Sequence, residues 1–243
     1  MKNNIDLKEF LDNKSVVIIG PASCVLKNKN GSFIDSFDVV VRVNRGVEPT
    51  DTYPEYIGQR CDLLYNCLYE HPDNGGIIDL KYFSKKGVKS IIYHPKVSFQ
   101  GVATNSPPDG MAKGALNKIQ NSKYSSHMID YQFYNSISKQ TKCRPNTGYI
   151  AIHHLLSYNI KTLFITGYTF YMDKFMSGYK DHVDKDEFND KCFHSKRHNQ
   201  KNLFNHLKEC RQKDSRIQCD KYLSRILELE NLDKSKSSDI FKD

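Results

Sequence analysis

The chain runs to 243 residues, 38% of them hydrophobic, with a formal net charge of +8, enough for one α/β domain with a full core and scarcely for two. No segment approaches the ~20 apolar residues of a membrane span, and the opening residues MKNNIDLKEFLDNK lack the apolar stretch of a signal peptide, so a soluble cytoplasmic protein is expected. The positive balance suits an anionic ligand, a nucleic acid or an acidic membrane surface. The dense patch His194-Ser195-Lys196-Arg197-His198 has no aromatic interleaving, so nucleic-acid binding is not expected, while peripheral contact with a membrane stays open.

Residues 1–14 form a leading segment, with a short helix over 4–13. An apolar run from Ser15 breaks at Gly20-Pro21, and a second ends in Arg42-Val43-Asn44; they read as buried strands over 15–20 and 38–43. Two parallel strands joined by a connection of this length make a nucleotide-binding half-sheet, with the ligand at the carboxyl ends of the strands. A third strand is expected at 61–66, ending in Asn66, then a helix opened by Gly75-Gly76 through Phe83 and a strand at 88–93. Residues 95–115 carry Pro95, Gly101, Pro107, Pro108, Gly110 and Gly114 and read as a long loop of the lid or binding kind.

Residues 126–140 show helical spacing of Met128, Tyr131, Phe133, Tyr134 and Ile137, a stripe assigned to core packing. The turn Pro145-Asn146-Thr147-Gly148 leads into an apolar helix from Tyr149 to Leu156. A buried strand over 161–166 follows, ended by Gly167-Tyr168. The polar segment 172–197 reads as a loop or lid, partly disordered. Helices over 198–211 and 220–230 close the chain, with 232–243 a frayed tail. There is no internal repeat, and the alternation of strands and helices predicts one α/β domain over 1–243, a mostly parallel sheet flanked by helices.

Gly20 lets the chain turn where backbone must approach a ligand closely. No GxGxxG follows it, since residues 22–25 are Ala, Ser, Cys and Val, which counts against a nicotinamide enzyme. Asn44 can donate and accept toward a phosphate or ribose, or bond its own backbone in a turn. Thr147 and Gly148 open a helix, where free amides make either a phosphate site or a plain N-cap. Gly167 leaves a second open backbone face at the same sheet edge.

Histidine, with an ordinary pKa of about 6.5, is the candidate general base. His153 and His154 fall in an apolar helix and read as packing positions. His71 and His94 follow strands and could line a cleft. His182, His194 and His198 lie in the polar segment where catalytic loops belong. Asp184-Lys185-Asp186 mimics a metal-binding DxD, but a stretch this charged produces one by chance, and no metal is assigned. The seven cysteines include no CxxC and no zinc spacing, and read as reduced thiols packed as small hydrophobes.

Residues 15–46, through Gly20, Gly31, Ile34-Asp35, Asp38, Arg42 and Asn44, resemble the large sialylmotif of the eukaryotic-type sialyltransferases, glycosyltransferase family 29. Residues 144–171 resemble the small motif. His182 and His198, 16 residues apart, resemble the third and very-small motifs. The resemblance implies a Rossmann-like variant of the GT-A architecture. It implies inverting transfer of sialic acid from a CMP-sugar donor to a glycan or glycolipid hydroxyl, with no metal or cofactor.

On this resemblance Asn44 contacts the cytidine nucleotide, with Asn66 at the neighbouring strand end in the same donor-binding set. Thr147 and Gly148 cradle the donor phosphate and ribose, and Gly167 lies under the base. His182 touches the phosphate and His198 is the catalytic base, with His194 in reserve. Three departures stand out. Pro21 and Cys24 replace the family's asparagines. Val16 or Val17 and Asn159 stand near the family's disulfide partners. Leu203 stands where a Glu follows the very-small-motif histidine, and Glu209 is too far along to replace it. With no stem or anchor, the chain reads as a microbial or viral relative. The alternatives are a CMP-Kdo transferase and a nucleotide-binding protein without turnover.

Overall fold

Apolar runs without a polar face are stable only between two covered faces, and the strands built from them sit in that setting. The computed structural model describes residues 4–242. Its seven-stranded sheet comprises β1 (Ser15–Ile19), β2 (Val39–Val43), β3 (Leu63–Tyr65), β4 (Ser90–Tyr93), β5 (Ser126–Met128), β6 (Thr162–Thr166) and β7 (Ile217–Cys219), in the order β5-β4-β3-β2-β1-β6-β7. Every pairing is parallel, with Val16 opposite Val39 on one side and Leu163 on the other. The chain steps from β1 outward to β5, then crosses to the far side of β1 for β6. The topological switch point therefore lies between β1 and β6, where open α/β sheets bind their ligands.

The helices are α1 (Leu7–Leu11), α2 (Gly31–Asp35), α3 (Pro54–Ile57), α4 (Leu80–Lys85), α5 (Lys113–Gln120), α6 (Tyr131–Thr141), α7 (Thr147–Leu156), α8 (Lys185–Phe193), α9 (Gln200–Lys213), α10 (Lys221–Glu228) and α11 (Ser237–Ile240). Strand alternation divides the core between two layers. Val16, Ile18, Val39 and Val41 pack with Ile150 and Leu155 of α7 and with Leu203 and Leu207 of α9. Val17, Ile19 and Val40 face Ile34 of α2, while Leu64 and Ile91 meet Phe83, Ala115 and Ile119 of α4 and α5. Arg42, fully buried, donates to the carbonyls of Arg60 and Ile57 at 2.8 and 2.6 Å and so pins the β2–β3 connection. No helix among the described residues is long and apolar enough to cross a membrane.

The structure corrects several element expectations. Residues 126–128 pair as edge strand β5, and the helix begins only after Asp130, whose carboxylate accepts the Phe133 amide at 2.8 Å. Gly75 and Gly76 belong to a turn; the helix starts at Leu80, capped by Asp79. The loop read over 95–115 runs into α5, and the segment 172–197 contains α8. The tail over 232–242 is packed down, with Leu232 and Ile240 buried and the Ser237 hydroxyl donating to Met172 O at 3.0 Å. Residues 1–3 of the leading segment and residue 243 lie outside the described residues.

Buried histidines give this fold a defined acid limit. Burial pushes His94, His154 and His198 down to about 4 and His153 to about 3. They stay neutral in the folded protein, whereas the unfolded chain protonates them near 6.5. The unfolded state thus binds more protons below pH 6.5, and stability falls as pH drops from there toward 4. Urea titrations at pH 7 and 4.5 should show a loss of at least ~3 kcal/mol at the lower pH, since each unit of depression is worth ~1.4 kcal/mol. A flat profile would mean that these rings are hydrated in solution.

Candidate active site

A cavity of ≈ 280 Å³ opens over the carboxyl edge of the sheet, lined by residues that follow β1, β2, β4 and β6, by the start of α7 and by the 172–197 segment. Its floor depends on two glycines. A Cβ on Gly20 would lie 2.3 Å from the Gly167 carbonyl oxygen, and one on Gly167, at φ +70°, would lie 2.6 Å from that of Gly20. The turns after β1 and β6 therefore touch backbone to backbone at the switch point. Both glycines are explained by that contact; Gly167 also lines the cavity.

The start of α7 forms an anion-binding corner. Asn146 caps the helix by accepting the Tyr149 amide at 2.9 Å, and the first intrahelical bond runs from the Ile150 amide to Asn146 O. The amides of Thr147 and Gly148 have no acceptor among the described residues. These are the orphan donors of a helix N-terminus, carrying its partial positive charge. Tyr168 stands against them: a Cβ on Gly148 would meet the Tyr168 hydroxyl at 2.6 Å, so Gly148 makes room for this phenol. The hydroxyl is buried without a hydrogen-bond partner among the described residues. Burial holds the phenol well above its ordinary pKa, so it remains an O–H donor waiting for an acceptor.

His198 lines the same cavity. Its Nδ1 lies 2.7 Å from Arg144 O. A carbonyl only accepts, so Nδ1 carries the proton and Nε2 keeps its lone pair. Burial lowers the ring to about 4 against the hydrogen bond to the Arg144 carbonyl, which raises it, and the Arg144 and Arg197 charges add to the lowering, which leaves it an unprotonated base at neutral pH. Gln200 donates to His198 O and fixes the loop that carries the ring. His94, also lining the cavity, repeats the pattern with Nδ1 2.8 Å from Pro95 O.

Three cations line the same cavity: Arg144, Lys180 and Arg197. Arg144 is nearly buried and reaches Ser98 O at 3.2 Å. Lys180 lies 4.2 Å from the Phe188 ring centroid and bonds Asp73 O. Arg197 stacks over Phe99 at 5.1 Å. Acidic side chains lining the site are already engaged. Asp173 takes the Ser23 hydroxyl and the Cys24 amide at 2.9 and 2.6 Å, and Asp73 faces His182. The net field favours an anionic ligand.

The 172–197 segment is a built wall. Its first residues bridge the turn after β1, with Ala22 opposite Phe175, the Ser23 amide donating to Lys174 O at 2.7 Å and the Met176 amide to Pro21 O at 2.8 Å. Pro21 and Cys24 serve this docking, Pro21 through its carbonyl and Cys24 through its amide, which donates to Asp173 at 2.6 Å. Phe175, Met176 and Tyr179 then pack on Val25 and Ile57.

Asn44, Thr147, Gly148, Gly167 and His198 share this cavity, and Leu203 lines it as well. Asn44 sits at φ +51° and accepts the Cys67 amide at 3.0 Å, so its oxygen already serves the fold. Asn66 is not in the lining: it is fully buried, donating to Gly75 O at 2.9 Å and accepting the Leu68 amide at 2.7 Å. His182 lies outside the lining, its Nε2 2.7 Å from Asp73 Oδ1. His194 is exposed, 3.7 Å from Asp190. Asp184 caps α8 through the amides of Asp186 and Glu187, so the DxD resemblance is a capping pattern. Sequence reasoning missed Arg144, Tyr168, Lys180 and Arg197, although all but Lys180 adjoin a residue it singled out.

No family model matches this chain, and no curated protein is similar to it in sequence. Solved structures are similar in fold. A mammalian sialyltransferase in complex with Gal-beta-1-3GalNAc-ortho-nitrophenol aligns at 15% identity and TM-score 0.50, over 89% of this chain and 73% of its own. The sialyltransferase CstII from Campylobacter jejuni, bound to cytidine-5'-monophosphate, aligns at 16% identity and TM-score 0.50, over 86% and 80%. A second CstII structure in complex with CMP aligns at 18% identity and TM-score 0.52, over 85% and 80%. The chain therefore shares the Rossmann-like sialyltransferase fold.

Proposed function

We propose that this chain is a glycosyltransferase that moves an acidic sugar, sialic acid, from a CMP-sugar donor to a glycan hydroxyl. The observation that carries the reading is one cavity at the switch point that holds both an anion corner and a histidine. Two unpaired amides and an unpaired phenol form the corner, and the histidine's proton sits on the nitrogen held by Arg144 O. The CMP bound by proteins of the same fold supports the nucleotide.

In this reading the acceptor O–H gives its proton to His198 Nε2 while its oxygen attacks the anomeric carbon. The bond from that carbon to the phosphate oxygen breaks, and its electron pair leaves with CMP. The Thr147 and Gly148 amides and the Tyr168 hydroxyl stabilise the charge that accumulates there. Arg144, Lys180 and Arg197 draw in a donor that carries both a phosphate and a carboxylate. A single displacement inverts the anomeric configuration. The reaction takes no cofactor.

Release of CMP from CMP-sialic acid, with and without a glycan acceptor, tests the proposal, and CMP-Kdo in parallel identifies the sugar. CMP binding without turnover of either donor would mean a non-catalytic nucleotide-binding protein. Because Asp184 is spent on capping and neither Asp184 nor Asp186 lines the cavity, Asp186→Ala should leave donor turnover unchanged within about twofold, and EDTA should not abolish it. Turnover lost on chelation and restored by Mn²⁺ would contradict the histidine-and-amide mechanism.

A further inference from the structure

Away from the cavity, α7 and α9 bring together His153, His206 and Cys210, whose ligand atoms all lie within 4.8 Å of one another. His206 and Cys210 stand one turn apart on α9, and His153 reaches them from α7. The Cys210 sulfur is 3.9 Å from either ring nitrogen of His206. The two imidazole centroids are 4.9 Å apart.

The decisive side chain is His153. It is 7% exposed, and its Nε2 is buried with no hydrogen-bond partner among the described residues. A buried ring nitrogen left unpaired is costly, and such groups ask for an ion or water that takes them. His206 is already oriented. Its Nε2 lies 2.9 Å from Gln140 Oε1 on α6; that carbonyl oxygen only accepts, so Nε2 carries the proton. Nδ1 then offers a lone pair, which the Tyr149 hydroxyl meets at 2.7 Å. An imidazole whose far N–H is held by an outer acceptor is arranged as metal-ligating histidines are.

We propose that His153 Nε2, His206 Nδ1 and the Cys210 thiolate bind Zn²⁺, with water as fourth ligand, and that the ion clamps α7 to α9. Tetrahedral zinc, with Zn–S about 2.3 Å and Zn–N about 2.0–2.1 Å, places its ligand atoms about 3.3–3.6 Å apart. Side-chain rotation supplies the remaining approach. On binding, the Cys210 thiol releases its proton to solvent as the Zn–S bond forms, and the Tyr149 hydroxyl yields His206 Nδ1 to the metal. Two imidazoles and a thiolate favour a borderline-soft ion over Mg²⁺, Ca²⁺ or Mn²⁺. The clamp would fix the helix that begins at Thr147 against the helix that follows His198.

The test uses the full chain, stripped with EDTA and titrated with Zn²⁺ or Co²⁺. One zinc per chain should be retained after desalting and raise the melting temperature. Co²⁺ should give a near-ultraviolet thiolate-to-cobalt band and visible bands of tetrahedral intensity. Cys210→Ser should abolish the thiolate band, and His206→Gln should weaken zinc binding by about 100-fold or more, with unchanged far-ultraviolet circular dichroism. Gln140→Ala, which removes the outer acceptor, should weaken it by about tenfold. A thiolate–cobalt band that survives Cys210→Ser, or no stoichiometric zinc uptake, would overturn the proposal. These readouts follow the metal and leave the sugar-transfer reading independent.

Discussion

Replacing His198 by alanine is expected to lower kcat by about 10²–10⁴, the usual contribution of a general base, while CMP affinity changes only a few-fold. In the proposed reaction the ring serves the acceptor hydroxyl, whereas the nucleotide's phosphate is assigned to the Thr147 and Gly148 amides at the start of α7, which line the same cavity. The melting temperature must be read beside the rate, because His198 also bonds Arg144 O. His94→Ala is the companion variant, since His94 presents the same tautomer in the same cavity. If His94→Ala shows the larger fall in kcat, the two histidines exchange roles. The pH profile gives a second handle: the base works only when Nε2 is unprotonated, and its pKa is lowered to about 4. The acid limb of kcat/KM should therefore lie well below the 6.5 or so of an ordinary histidine.

Gly167→Ala should destabilise the protein by about 3 kcal/mol or more and abolish nucleotide binding, through two effects that add. The backbone sits at φ +70°, which an alanine adopts only with strain, and the new methyl group would lie 2.6 Å from both Gly20 O and Val25 Cγ1. Gly87→Ala supplies the comparison, because Gly87 has φ +79° with nothing within 4 Å of the added carbon. It should show the conformational cost alone, about 1–2 kcal/mol. Gly20→Ala meets the same wall from the other side, at 2.3 Å from Gly167 O. Urea midpoints for the three variants separate strain from collision. A Gly167→Ala midpoint equal to that of Gly87→Ala would mean that the β1 and β6 turns do not touch in solution.

The sheet centre was legible because β1, β2, β4 and β6 are short apolar runs bounded by polar or glycine residues, a pattern with a single buried solution. The edges were not. Ser126–Met128 and Ile217–Cys219 are three residues each, too short for any period to show, and they exist because a neighbouring strand offers its edge. The helices α5 and α8 hid in Pro/Gly-rich and charged stretches, and the tail looked frayed because ties that hold it, such as the Ser237 hydroxyl to Met172 O, reach distant parts of the chain.

At the site, residues attached to strand ends and helix starts, such as Asn44 and Thr147, could be located from local pattern. Lys180 could not, because nothing in a chain full of lysines distinguishes the one laid over Phe188. The histidines show the limit most clearly. His182 and His198 looked alike in the polar segment, and only the folded structure turns one toward Asp73 and seats the other in the cavity. Of the His153–His206–Cys210 cluster, only the pair one turn apart on α9 has a sequence spacing; His153 joins it from another helix.

Whether the cavity holds a CMP-sugar donor is decided by thermal shift of the wild-type chain with CMP, UDP, ATP and NAD. A ligand that binds only the folded state at about 100 times its Kd adds ~2.7 kcal/mol of stability, about 5–10 °C for a chain of this size. A shift of that order is expected with CMP, and smaller shifts or none with the other three. An equal or larger shift with NAD would contradict it.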